Sequence, residues 1–359
     1  MKRYRAKISN EYFINSKNFS PELNLNTICA FLSNKNADKD SKKQIVFDTP
    51  FEICFNYNEL KNKQCKFIID YSYESGLSQL DLDNKIDSYL RLGIDLNDVL
   101  VILNSSAQAA PLRTKIKILY IDIFALSAVA RVFDYNHPVS KFSDRPKKFN
   151  LLLGKIGKSN RAKAIYRFYK KGILENTVAG LLGKRKEIHS ALGLKDPVFY
   201  RDVRHYLKSP DKVKTAQLSS GTTSQGWSNK STVYDNSSVS YICETFDDTD
   251  YGNFITEKTY RPIINQHPFV VQASPRMLEY IREQGFRTFD ALIDESYDKD
   301  MVDMARIDNT IDQAEKLLDH TRSNQSVLKE IVIHNYNVLL DRAQHQLNEL
   351  QKHVNALLT

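Results

Sequence analysis

Three consecutive residues, Thr256, Glu257 and Lys258, carry a dense piece of chemistry. Threonine is a favoured helix cap, so the first free backbone N–H groups would point outward near Glu257. A helix N-terminus with a lysine beside it suits a phosphate or pyrophosphate. A carboxylate in the same turn can accept two hydrogen bonds from a vicinal diol such as a ribose. One turn therefore offers the parts for a nucleotide, although a capped surface helix with a neighbouring Glu–Lys pair has the same pattern. Pro262, four residues after Lys258, predicts a kinked or short helix, because proline cannot donate to the Lys258 carbonyl.

A second cluster lies nearly a hundred residues earlier. The run 148–154, KFNLLLG, reads as a short buried strand. It is followed by the polar turn 155–161, KIGKSNR, and by an amphipathic pattern through Ala164, Ile165, Phe168 and Tyr169. A strand, a glycine-containing turn and a basic helix start are well suited to gripping phosphate. Lys158 and Arg161 are its cations, and the Arg161 fork can pair with two phosphate oxygens.

The elements that must position these residues follow an α/β rhythm. Lys66–Asp70, Val99–Leu103 and Ile118–Phe124 read as buried strands, with a helical pattern around Ile86, Tyr89 and Leu90 between the first two. Ile45–Phe47 and Phe51–Phe55 suit short edge strands. In a largely parallel sheet the ligand side is at the carboxyl ends of the strands, which places Asp70, Glu74 and Asn104 at that edge. Residues 171–235 give no clear pattern, and 219–232 reads as a loop. Ser238–Phe246 returns as a strand carrying Glu244 near its end. Ser274 and Pro275 predict the start of a helix through Met277, Leu278 and Ile281 that stops at Gly285. Phe286–Phe289 suggests a short strand, and the last 55 residues read as helices. One carries Ile307, Ile311 and Leu318, and a longer one starts near Ser326. A coiled-coil dimer is the competing use of that last helix, although its heptads are irregular.

Composition bounds the class. A chain of 359 residues that is 42% hydrophobic, with 19 Tyr and 18 Phe, predicts two folded domains rather than disorder. The start MKRYRAKISNEYF has no apolar run behind its basic residues, and no stretch reaches membrane-span length. Cys29, Cys54, Cys65 and Cys243 are scattered, as expected of reduced thiols in a cytoplasmic protein, meaning the host cytoplasm for a viral one. Charge is uneven. Residues 141–215 hold 20 Lys+Arg against 6 Asp+Glu, and the rest of the chain holds 31 against 37. Such a basic block suggests a polyanionic partner or a phosphate-holding cleft, and otherwise a set of solvated helix faces. The triplet Asp248–Thr249–Asp250 has a metal-binding spacing, but the same spacing recurs at Asp81–Asp83 and Asp298–Asp300, so no metal is expected.

The segments 147–168, KKFNLLLGKIGKSNRAKAIYRF, and 241–271, YICETFDDTDYGNFITEKTYRPIINQHPFVV, together resemble the donor-binding half of the alpha-1,3-fucosyltransferases. They look still more like related glycosyltransferases encoded by viruses and bacteria, and 285–298, GFRTFDALIDESYD, is similar to that wider group. The resemblance covers roughly residues 145–300. It implies the GT-B architecture, two Rossmann-like α/β domains facing a cleft, here with C-terminal helices. It also implies a nucleotide-sugar donor and no required metal or other cofactor. Carried over by position, it implies that Arg161 and Lys258 bind the donor diphosphate and Glu257 its ribose. Lys158, Glu244, Thr256 and Tyr260 would complete the donor pocket. Where the family carries an Asn-rich run, this chain has GKIGKS at 154–159, which leaves base and sugar unassigned.

The expected layout is an acceptor-side domain over 1–144, a donor domain over 145–320, and a helix over 321–359 that packs back on the first domain. A general base would come from the acceptor side, with Glu74 the first choice and Asp70 the second. The expected activity is hexosyl or pentosyl transfer from a UDP- or GDP-sugar to a hydroxyl, on a saccharide as the resemblance suggests or on a hydroxylated base in viral DNA, which the basic block favours. The alternative is a non-catalytic nucleic-acid-binding protein that uses the basic block.

Overall fold

The structure is a computed structural model. It describes residues 44–48, 65–71, 79–103, 116–130, 145–155, 157–182, 185–193, 196–208, 231–244, 253–299 and 303–358. The chain divides into two compact units, one of Met1–Ala130 with Leu340–Thr359 and one of Arg131–Leu339. Each contains a four-stranded parallel sheet. The architecture is α/β with C-terminal helices, compatible with a Rossmann-like layout.

In the first unit the strands β1 (Gln44–Asp48), β2 (Cys65–Tyr71), β3 (Val99–Leu103) and β4 (Lys117–Tyr120) lie side by side in sequence order. Helix α1 (Gln79–Arg91) joins β2 to β3. Its Leu82, Ile86 and Tyr89 recur at helical spacing and pack on Phe67, Ile69, Val99 and Val101. The alternate residues Ile68, Leu100 and Ile102 are buried too, as expected of a parallel sheet covered on both faces. Ile118–Phe124 does not stay a strand throughout. The ladder ends at Tyr120, and Asp122 Oδ1 accepts the Ala125 N–H at 3.0 Å, which starts helix α2 at Ile123–Ala130. A capping side chain thus ended an apolar run that periodicity alone could not divide. Gln346 Oε1 accepts the Asp122 N–H at 3.2 Å, and Leu347, Leu350 and Val354 are buried, so the part of the chain's last helix from Leu340 onward belongs to this unit's core.

In the second unit the order is β6–β5–β7–β8, formed by β5 (Lys147–Lys155), β6 (Thr177–Leu182), β7 (Ser237–Cys243) and β8 (Phe269–Gln272). Helix α3 (Ser159–Lys170) follows β5. Its Phe168 meets Phe149 and Tyr241 edge-on at 5.9 and 5.0 Å. Among its described residues the unreadable stretch contains β6 and the helices α4 (Arg185–Leu192), α5 (Pro197–Lys208) and α6 (Ser231–Asp235). Helix α7 (Glu257–Ile264) follows β7 and contains Pro262.

Helix α8 (Met277–Glu283) starts later than Ser274 and Pro275 suggest. Arg276 occupies the cap with φ of 63°, and the Leu278 N–H is received by Asp298 Oδ2 at 2.7 Å, a cap supplied by a distant loop. The stretch 286–289 forms no strand. Arg287 instead exchanges backbone hydrogen bonds with the Asn335 side chain, at 2.7 and 2.8 Å, so a helix amide replaces a ladder partner. Helices α9 (Met304–Ser323) and α10 (Gln325–Leu358) complete the chain.

Candidate functional site

At the carboxyl end of β7 the next residue, Glu244, is fully buried. Its Oε1 accepts from the Thr256 N–H at 3.1 Å and from Thr259 Oγ1 at 2.7 Å. Its Oε2 accepts from Thr256 Oγ1 at 2.5 Å. Thr256 caps α7 with extended backbone and accepts from the Lys258 N–H at 3.3 Å. Lys258 Nζ donates to Thr256 Oγ1 and to Glu257 Oε1, each at 3.0 Å. Burial alone would raise the Glu257 carboxyl. The cations of Lys258 and Arg261 and the Lys258 hydrogen bond outweigh it, lowering the pKa from 4.5 to about 2. Glu257 is thus a carboxylate at any physiological pH.

The start of α3 is built against the same residue. Lys158 is exposed at the cap, and Arg161 is buried in the first turn. Asn160 Oδ1 accepts the Arg161 N–H at 2.8 Å, while its Nδ2 donates to the Glu244 carbonyl at 3.4 Å. The Asn160 carbonyl accepts from Gln272 Nε2 at 3.4 Å, and Gln272 Oε1 accepts from the Tyr241 hydroxyl at 2.6 Å. Backbone and side chain of Glu244 therefore join the two helix starts that the sequence singles out.

The two helices cover opposite faces of the sheet. Phe149 and Tyr241 meet α3, whereas Asn150, Leu152, Ser240 and Ile242 share a hollow with Lys258 and Arg261 of α7. Their starts nonetheless meet at one edge, because β5 and β7 are neighbours and the order reverses between them. Chain order runs from β5 outward to β6 on one side and from β7 outward to β8 on the other. Such a reversal opens a crevice at the strand ends, where ligands of open α/β sheets bind.

The hollow on the α7 face is small and open to solvent. Arg261, which lines it, was not singled out by the sequence reading, although its spacing of four residues from Glu257 was a usable signal. Tyr260 does not line it; the ring is fully buried and meets Phe286 at 6.1 Å. Below the hollow, Asn150 Nδ2 donates to Ser237 Oγ at 2.9 Å and to Ser240 Oγ at 2.8 Å. His267 Nδ1 lies 2.9 Å from Ser240 Oγ. Burial, with Arg145 nearby, depresses the His267 pKa from 6.5 to about 3, so the ring is neutral at physiological pH and a weak base. A buried asparagine within an apolar strand was the sequence signal for this cluster, since a buried amide needs partners.

Asp70 lies in β2, one residue before the strand's carboxyl end. Glu74, Asn104, Asp248 and Asp250 fall outside the described residues. Asp298 serves the fold, holding the Leu278 N–H and pairing with Arg306 at 3.3 Å. Among the described residues no three His, Cys, Asp or Glu side chains form a group that could hold a metal ion. No helix of the described residues is long and apolar enough to cross a membrane. Comparison with family models, curated proteins and solved structures gave no match to this chain.

Proposed function

We propose that this protein is a glycosyltransferase of the GT-B class that moves a sugar from a nucleotide-sugar donor to a hydroxyl acceptor. The observation that carries the reading is the pair of basic helix starts, Lys158–Arg161 and Thr256–Lys258, at the ends of the two strands where the order reverses, joined by Glu244. Arg161 and Lys258 would offset the charge that grows on the diphosphate as the sugar departs. Glu257, ionised at neutral pH, would receive the ribose hydroxyls. The general base in this reading is Glu74 or Asp70.

Pairing within the described part of the basic block lends some support to a saccharide hydroxyl over duplex DNA as acceptor. Arg167 is paired with Asp308, Lys171 with Asp312 at 2.5 Å and Lys170 with Asp196 at 3.1 Å. Arg201 is 2.8 Å from Asp202, and Arg145 donates to the carbonyls of Tyr234 and Ser237. A duplex is held chiefly by cations that neutralise phosphates, and these already have partners.

A thermal-shift panel of UDP- and GDP-sugars, with and without hydroxymethylated duplex, tests the proposal. A donor at 100 times its dissociation constant should add about 2.7 kcal/mol. Stabilisation by a nucleotide sugar, followed by its slow hydrolysis, is the expected result. No donor response, together with duplex binding that survives Lys258→Ala, would replace this reading with the nucleic-acid-binding one.

A further inference from the structure

We infer that Glu244 is a positioning residue that sets the direction of the Thr256 hydroxyl and through it fixes the Lys258 ammonium. This rests on the donor-site reading given above. A threonine hydroxyl has one proton to donate and lone pairs to accept with. The Glu244 carboxylate, as Oε2 at 2.5 Å, takes that proton. The Thr256 oxygen is left to accept, and it receives both the Lys258 N–H at 3.3 Å and Lys258 Nζ at 3.0 Å.

Glu257 Oε1 holds the same ammonium from a second direction at 3.0 Å. Oε1 of Glu244 receives the Thr256 N–H and the Thr259 hydroxyl, which anchors the carboxylate to the first turn of α7. Glu244 thus has its two oxygens turned into the protein, and it acts on a ligand only through Lys258. Reversing the Thr256 hydroxyl would aim its proton at a cation, and the ammonium would leave.

Glu244→Gln makes that reversal with little change of volume, because its amide can present N–H to Thr256 Oγ1. Two readouts judge it. The first is the affinity for UDP and GDP by titration calorimetry, in the wild-type and the Lys258→Met backgrounds. The second, which needs no ligand, is the rate of reductive methylation of Lys258 followed by peptide mass spectrometry.

The expected result is at least a tenfold loss of nucleotide affinity in the wild-type background and less than twofold beside Lys258→Met. Methylation of Lys258 should become at least threefold faster. Thr256→Val, which removes only the hydroxyl, should repeat both effects, and Thr256→Ser should repeat neither. Thr259→Val, which removes a bond to the same carboxylate but leaves the Thr256–Lys258 contact, should change each readout less than twofold. Equal losses in both backgrounds, or unchanged Lys258 methylation in both Glu244→Gln and Thr256→Val, would overturn the inference. Wild-type protein that binds neither nucleotide would sink the donor reading instead, and methylation alone would then decide the role of Glu244.

Discussion

The two sheets share strand number and parallel polarity but differ in order. In the first unit β1 to β4 lie side by side as they occur in the chain, so the described strands contain no reversal. In the second, the chain begins at β5, moves outward to β6, and then returns to the other side of β5 for β7 and β8. The strand ends of both units are built from similar materials, an apolar strand followed by polar residues. Where the order reverses in the second unit, two helix starts lie at the strand ends on opposite faces of the sheet, the arrangement that opens a crevice there. Similar local sequence therefore accompanies a candidate ligand crevice in the second unit, where the strand order reverses.

The strongest challenge to this contrast is removal of residues 340–359. That segment carries Leu347, Leu350, Val354 and Leu357, all buried in the first unit. Losing four such side chains, each worth about 1.5–3 kcal/mol of burial, removes about 6–12 kcal/mol, comparable to the whole stability of an ordinary domain. Limited proteolysis should show the first unit cut rapidly while the second resists. Equal resistance of both would mean that the segment is not needed by the first unit's core.

A smaller effect separates the two strand edges directly. Lys258→Met should weaken nucleotide-diphosphate binding by about 100-fold, equivalent to about 2.7 kcal/mol, whereas Asp70→Asn in β2 should change it less than twofold. Calorimetry on both variants checks this. A comparable loss in each would move the ligand away from the reversal point.

A third effect concerns pH. His267 titrates at about 3 in the folded protein against 6.5 ordinarily, so the unfolded chain binds the extra proton between those values. Its contribution is fully present above pH 6.5 and declines as pH falls toward 3, with a limiting slope of about 1.4 kcal/mol per pH unit. Urea titrations of wild type and His267→Gln at several pH values isolate it. The difference between the two should shrink as pH falls from 7 to 4, and a constant difference would show that the ring does not titrate this way.

Some of this was legible in the chain and some was not, for reasons that differ residue by residue. Val99–Leu103 was readable to the residue, because a run of five apolar residues between polar neighbours has one place to go. The α7 start was readable because Thr256 is a cap by its own chemistry. The 171–235 stretch was not, since its helices depend on partners elsewhere, such as Phe199 against Tyr166 at 5.0 Å. The basic block illustrates the same limit from the side of charge. Counted along the chain it looks unopposed, yet Asp308 and Asp312, more than a hundred residues later, lie against α3.

Sequence alone determined the elements whose cause is local: buried strands, caps, helical stripes and the α/β class. These follow from side-chain type and period, and they need no knowledge of what lies across the fold. Tertiary structure alone decided the strand order, the carboxylates that answer the basic helices, and the convergence of residues 160, 244, 256 and 272 on one buried network. Each of those depends on which segments become neighbours, and a hydrogen bond or an ion pair acts over a few ångströms of space regardless of how much chain separates its partners.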